Sequence, residues 1–65
     1  MMYELRCFYA GEQSPRDVWS VSLSADVLNR VGDMLAEHPG CNRIYIFAED
    51  LVLFALDNDG RDVPL

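Results

Sequence analysis

The single histidine of this chain stands three residues before one of its two cysteines, in His38-Pro39-Gly40-Cys41. An imidazole beside a thiol is the pairing that activates a cysteine nucleophile, provided a third group orients the base. The same side chains can ligate zinc, provided further N, S or O donors complete a tetrahedron. Cys7 is the only other thiol. It falls within an alternating apolar segment, where cysteine serves as a small core hydrophobe. No pair of ligands has the spacing of a recognised metal site. His38 is better explained as the last residue of a helix, where the negative end of the dipole favours a cationic imidazole. These residues predict no catalytic site, no metal and no cofactor, and hence a protein that is not an enzyme.

The segment Asp57-Asn58-Asp59-Gly60-Arg61-Asp62 resembles half of a calcium loop. An EF-hand places acids at positions 1, 3 and 5, glycine at 6 and glutamate at 12. Here glycine comes at the fourth position, so an acidic turn is the better reading. No glycine-rich phosphate loop and no Ser-His-Asp spacing is present.

Charge is the chemical signal that remains. Eleven Asp and Glu face five Arg and no Lys, for a net charge of -6. The acids fall into groups: Asp26, Asp33 and Glu37 on one helix, Glu49-Asp50 at a turn, and Asp57, Asp59 and Asp62 in a tail. Asp33 and Glu37 are like charges four residues apart, which mildly destabilises a helix. Glu37 also sits near the negative end of the dipole. Local stability does not account for those two placements, and such uncompensated costs point to function. These eight acids are the candidate partner-binding residues.

The elements that must position them follow from periodicity. Tyr3 to Ala10 alternates apolar and polar residues and reads as a strand, as does Val18 to Leu23. Gly11 and Pro15 punctuate a loop between them, which predicts an antiparallel hairpin. Ser24 is placed to cap a helix, and Leu23 and Leu28 are spaced as a hydrophobic staple. Val27, Leu28, Val31, Met34 and Leu35 form one apolar stripe, and Pro39-Gly40 ends the helix near His38. Arg43 to Ala48 and Leu51 to Leu56 are two more strands joined at Glu49-Asp50, and 57–65 is an acidic turn and tail. The expected architecture is a single α+β domain over residues 1–65. It has two layers in the order ββαββ, with a four-stranded, mainly antiparallel sheet and the helix on one face. Sheet orders 2-1-3-4 and 2-1-4-3 both satisfy the pattern.

One helix covers one sheet face, yet the third and fourth strands are apolar on both. Phe8, Tyr45, Phe47 and Phe54 are left as a candidate apolar interface, with curl of the sheet and the tail residues Val63 and Leu65 as the competing cover. At this length, area scaling predicts a folded surface of roughly 4,200 Å², with about 60% of the unfolded chain's surface buried. A domain so small is marginal alone, and a partner or a second copy would support it.

With 51% hydrophobic residues the chain is not disordered. An acidic surface disfavours direct binding to nucleic acid, which needs Lys and Arg to displace counterions, and to anionic membranes. It favours a basic protein surface, including one that normally holds nucleic acid. Met1-Met2-Tyr3-Glu4-Leu5-Arg6 is charged early and lacks the apolar core of a signal peptide. The cytoplasm, with reduced thiols, is the expected setting. Arg without Lys hints at a GC-rich bacterial or phage genome.

In size, acidity and ββαββ plan the whole chain resembles the small acidic anti-CRISPR proteins of phages and mobile elements. The resemblance implies a compact binder of a CRISPR effector complex that mimics DNA and blocks target recognition in a bacterial host cell. It is a resemblance of overall character, so no residue role is carried across. The alternative reading is a small dimerising interaction or regulatory subunit, antitoxin-like or accessory, that uses the aromatic sheet face.

Overall fold

Tyr3, Leu5 and Cys7 alternate with Glu4 and Arg6, and that period-2 pattern puts one set of side chains against the helix and the other on the opposite face. In the computed structural model, which describes residues 1–65, this segment is β1 (Tyr3–Tyr9). It pairs on both sides, with β2 (Asp17–Val21) and with β3 (Cys41–Ala48). The helix α1 (Val27–Glu37) connects β2 to β3 across β1. The chain then continues through β4 (Leu51–Asp57) and β5 (Asp62–Val63).

The sheet is wholly antiparallel and has five strands in the order β2-β1-β3-β4-β5. The expected four-stranded sheet is thus corrected by one strand. Asp57 folds the tail back so that Val63 pairs with Ala55 and Asp62 with Leu56. Of the two sheet orders, 2-1-3-4 is the one formed. The accessible surface is 4215 Å², the value that scaling gives for a normally compacted chain of this mass.

The core lies between α1 and one sheet face. Val27, Val31 and Met34 from the helix meet Leu5, Cys7, Val21, Cys41, Ile44, Ile46 and Leu56 from the strands. Two irregularities shift the register, one in β1–β3 between Phe8 and Tyr9, the other in β3–β4 between Ile46 and Phe47. The second matters most. Phe47 pairs with Val52 but Ile46 pairs with Phe54, which leaves Leu53 as the extra residue. Phe54 is thereby brought to the helix side, where it packs on the core.

Three local expectations differ at the helix start. Ser24 makes no side-chain cap. Ser24–Asp26 is instead a 3-10 turn, and the Val27 amide donates to the Ser24 carbonyl. Such bonds satisfy first-turn amides without a hydroxyl. Leu23 and Leu28 form no covered staple, since both are exposed. Leu28 also leaves the buried stripe, because the core-facing arc of α1 is centred on Val27, Val31 and Met34.

The β3–β4 turn carries Glu49 at φ 57, the only non-glycine residue of the chain in the left-handed region. That conformation costs an L-residue about 1–2 kcal/mol. Glu49→Gly is therefore expected to stabilise the fold by about 1 kcal/mol and to raise the thermal midpoint by about 4–8 °C. Calorimetry checks this, and an unchanged or lower midpoint contradicts the strain.

Candidate functional site

The antiparallel register gives the molecule two ends. Tyr3, Val21, Ala48 and Leu51 lie together at one, and Tyr9, Asp17, Cys41 and Asp57 lie at the other. The eight nominated acids divide between them. Asp26 at the helix start and Glu49-Asp50 at the β3–β4 turn belong to the Tyr3 end. Glu37, Asp57 and Asp59 belong to the Tyr9 end, and Asp62 lies on the outermost strand. Asp26, Asp33 and Glu37 share one helix flank by their spacing, and Arg30 on that flank lies 4.7 Å over the Trp19 ring of β2. The carboxylates form separate groups and not one continuous field.

Their partners decide how much charge stays free. Arg6 binds Glu4 at 2.7 Å, Arg16 binds Glu12 at 2.9 Å and Arg30 binds Asp33 at 3.1 Å. The Asp33–Glu37 repulsion is thus offset by Arg30. Asp57 is occupied by backbone: its Oδ1 accepts from the Arg61 and Asp59 amides, both at 2.9 Å. The Arg61 amide is the main reason its carboxyl lies below the usual range, so Asp57 is a turn-former first. Asp26, Glu37, Glu49, Asp50, Asp59 and Asp62 are exposed and carry no ion pair.

Of the nominated aromatic set, Phe8, Tyr45 and Phe47 share the uncovered sheet face, opposite Arg43, Arg6 and Glu4 in register. Phe54 does not join them, for the register reason above. The three are half-buried because the face partly covers itself. Arg6 lies 3.9 Å over the Phe47 ring, and Phe8 meets Tyr45 edge to face at 5.4 Å. Leu65 closes one side of a groove of about 590 Å³ that these rings line with Val52 and Arg43.

At the Tyr9 end the structure builds a constellation that sequence reasoning did not foresee. Tyr9 Oη lies 3.0 Å from His38 Nδ1, and His38 Nε2 lies 2.9 Å from Asp17 Oδ2. A carboxylate only accepts, so Nε2 carries a proton and donates to Asp17. In the neutral imidazole Tyr9 then donates to Nδ1. Asp17 also accepts from Trp19 Nε1 at 3.0 Å and from the Val18 amide at 2.9 Å. The hydrogen bond from His38 is the main cause of a lowered Asp17 pKa. The order phenol, imidazole, carboxylate imitates a nucleophile-base-orienter chain. Here every member serves to clasp β1, β2 and the end of α1. Arg16 caps the Tyr9 ring at 3.9 Å, and a Cβ on Gly40 would come within 2.7 Å of that ring.

The clue to Asp17 lay in its parity: it shares the inward face of Trp19 and Val21, where a carboxylate requires partners. The pairing with His38, 21 residues away, has no local signal. His38 does end the helix as expected, its amide donating to Met34 at 2.9 Å.

Cys7 and Cys41 are free and buried. Burial, with Cys41 beside it, pushes the Cys7 thiol up to about 12, so it remains protonated and unreactive at neutral pH. No group of three or more His, Cys, Asp and Glu side chains is arranged to hold a metal ion. No helix is long and apolar enough to cross a membrane.

Four exposed leucines lie at the Tyr3 end. Leu23, Leu28, Leu51 and Leu53 are 62%, 65%, 67% and 41% exposed. Leu28, Leu51 and Leu53 line two depressions that share Tyr3 and Leu53, between the start of α1 and the start of β4. No protein-family model, curated protein or solved structure matches the chain.

Folding lowers the Asp17 pKa, so the unfolded chain takes up that proton first. The clasp's contribution is complete above about pH 5 and is lost as pH falls below about 4. Asp17→Asn is expected to lower the denaturation midpoint near neutrality and to flatten the loss between about pH 5 and pH 3. Urea titrations across that range test it. Equal acid slopes for both proteins contradict the clasp.

Proposed function

We propose that this protein works by binding and not by catalysis. Its acidic surface occupies a cationic, nucleic-acid-binding site on another protein, with carboxylates standing where phosphates would. The observation that carries the reading is the fate of the arginines. Three of the five neutralise Glu4, Glu12 and Asp33, while six exposed carboxylates at the ends, helix flank and outer edge keep their charge. Free carboxylates at separate points of a rigid body 30 Å long suit a groove that tracks a charged backbone. Such association is fast and salt-sensitive.

The target proposed is a bacterial defence complex of the CRISPR–Cas kind, a reading supported by the likeness in size, charge and plan to small acidic anti-CRISPR proteins. The site of action is then the cytoplasm of a bacterial host.

A second reading is favoured by the groove of Phe8, Tyr45, Phe47, Val52 and Leu65. In it the protein is a homodimerising regulatory module that pairs through the sheet face. Most of the free carboxylates lie away from that face, so two copies could meet there with little repulsion. The two readings are compatible, since such a dimer would keep its acids outward.

The test is capture of proteins from a bacterial lysate on the immobilised chain. The captured basic proteins are expected to elute as salt rises from about 50 to 300 mM, and Glu49→Arg with Asp50→Arg is expected to lower capture about tenfold. Retention indifferent to both salt and charge reversal contradicts the mimicry. For the second reading, sedimentation should show a dimer that Phe47→Asp dissociates without salt dependence, while circular dichroism of the variant stays native.

A further inference from the structure

We propose that the Tyr3 end is a docking groove for an amphipathic helix of a partner protein, one that carries apolar anchors flanked by Lys or Arg. The inference rests on the reading above that the partner is basic, and it names the element recognised. Two adjoining depressions, of about 610 and 340 Å³, meet at Tyr3 and Leu53. One runs between Ser24, Val27 and Leu28 of the helical segment and Leu53 and Phe54 of β4. The other continues to Leu51 and the β3–β4 turn. Three of the lining leucines, Leu28, Leu51 and Leu53, stand more than two-fifths out of the fold. A solvated surface gains nothing from that arrangement, and an apolar patch with a polar rim marks an interaction site.

The rim identifies the occupant. Glu49 and Asp50 line the second depression beside Leu51, and Asp26 stands two residues before Leu28 in the chain; none of the three has a cationic partner. A purely apolar partner would leave these carboxylates desolvated and unpaired. A second copy related by a twofold axis would bring two such acidic rims into one interface with no cation between them. An anionic membrane is repelled by the same charges. A helix with leucine-type anchors at helical spacing and Lys or Arg beside them satisfies both the groove and its rim.

The experiment titrates the isotope-labelled protein with a synthetic leucine-lysine peptide patterned as an amphipathic helix, and with a scrambled peptide of the same composition. The patterned peptide should perturb the amides of residues 22–28 and 48–54 and bind about tenfold more tightly than the scramble. Leu28→Ser, at an exposed position that leaves the core intact, should reduce that advantage, and adding Leu53→Ser should abolish it. If both peptides bind equally with steep salt dependence, the groove is overturned while the acidic reading stands. If neither binds at low salt, the acidic reading itself fails. If Leu28→Ser instead dissolves a dimer of the free protein, the occupant is a second copy and the proposal is overturned.

Discussion

One eleven-residue helix must cover a five-stranded sheet, and it is too short to do so. Only 11 of 65 side chains are buried, although half the residues are hydrophobic. The rest of the molecule is arranged around that shortage. On the uncovered sheet face the arginine that neutralises Glu4 also lies over Phe47, so one guanidinium both balances a charge and shields a ring. The tail adds β5 and brings Leu65 beside the aromatic groove. On the helix side the cover ends sooner, and Leu28 and Leu53 stay in solvent.

The two ends of the molecule resolve the shortage differently. At the Tyr9 end, three elements are tied by the Tyr9–His38–Asp17 clasp, Arg16 stacks on the tyrosine, and Asp57 organises its own turn. Side-chain hydrogen bonds there add to the buried packing of Cys7, Cys41 and Met34. The Tyr3 end has no such clasp. Its β3–β4 turn reaches the residue before β1 by a long backbone bond of 3.4 Å from the Glu49 amide to the Met2 carbonyl, and its leucines and carboxylates are exposed. One small body thus carries a closed end, tied by side-chain hydrogen bonds, and an open end, which is the one proposed to meet a partner.

Most of this fold is legible in the residue pattern. The alternation in Tyr3–Tyr9 and in Arg43–Phe47 assigns faces correctly, and the helix ends at His38 as Pro39-Gly40 dictates. What could not be read is register. A single extra residue at Leu53 returns Phe54 to the core side and separates it from Phe47. Strict alternation cannot reveal a bulge, because the bulge is chosen by how the two strands meet. Leu28 was read into the core stripe because its spacing fits as well as that of Leu35; only the actual tilt of the helix on the sheet separates them. The clasp was hidden for a third reason. Hydrogen bonds between Tyr9, Asp17 and His38 depend on three elements converging, which no local window contains. The acids are the reverse case: their grouping along the chain was plain, but the end of the molecule that each group occupies is set by the topology.

Competition is the most direct test of the central claim that free carboxylates substitute for a polynucleotide. The basic protein captured by this chain should be given its labelled nucleic acid and then titrated with the acidic domain at low salt. The account predicts stoichiometric displacement of the nucleic acid, with the displacing power weakening as salt rises. A stable ternary complex, in which both ligands remain bound at once, would contradict it.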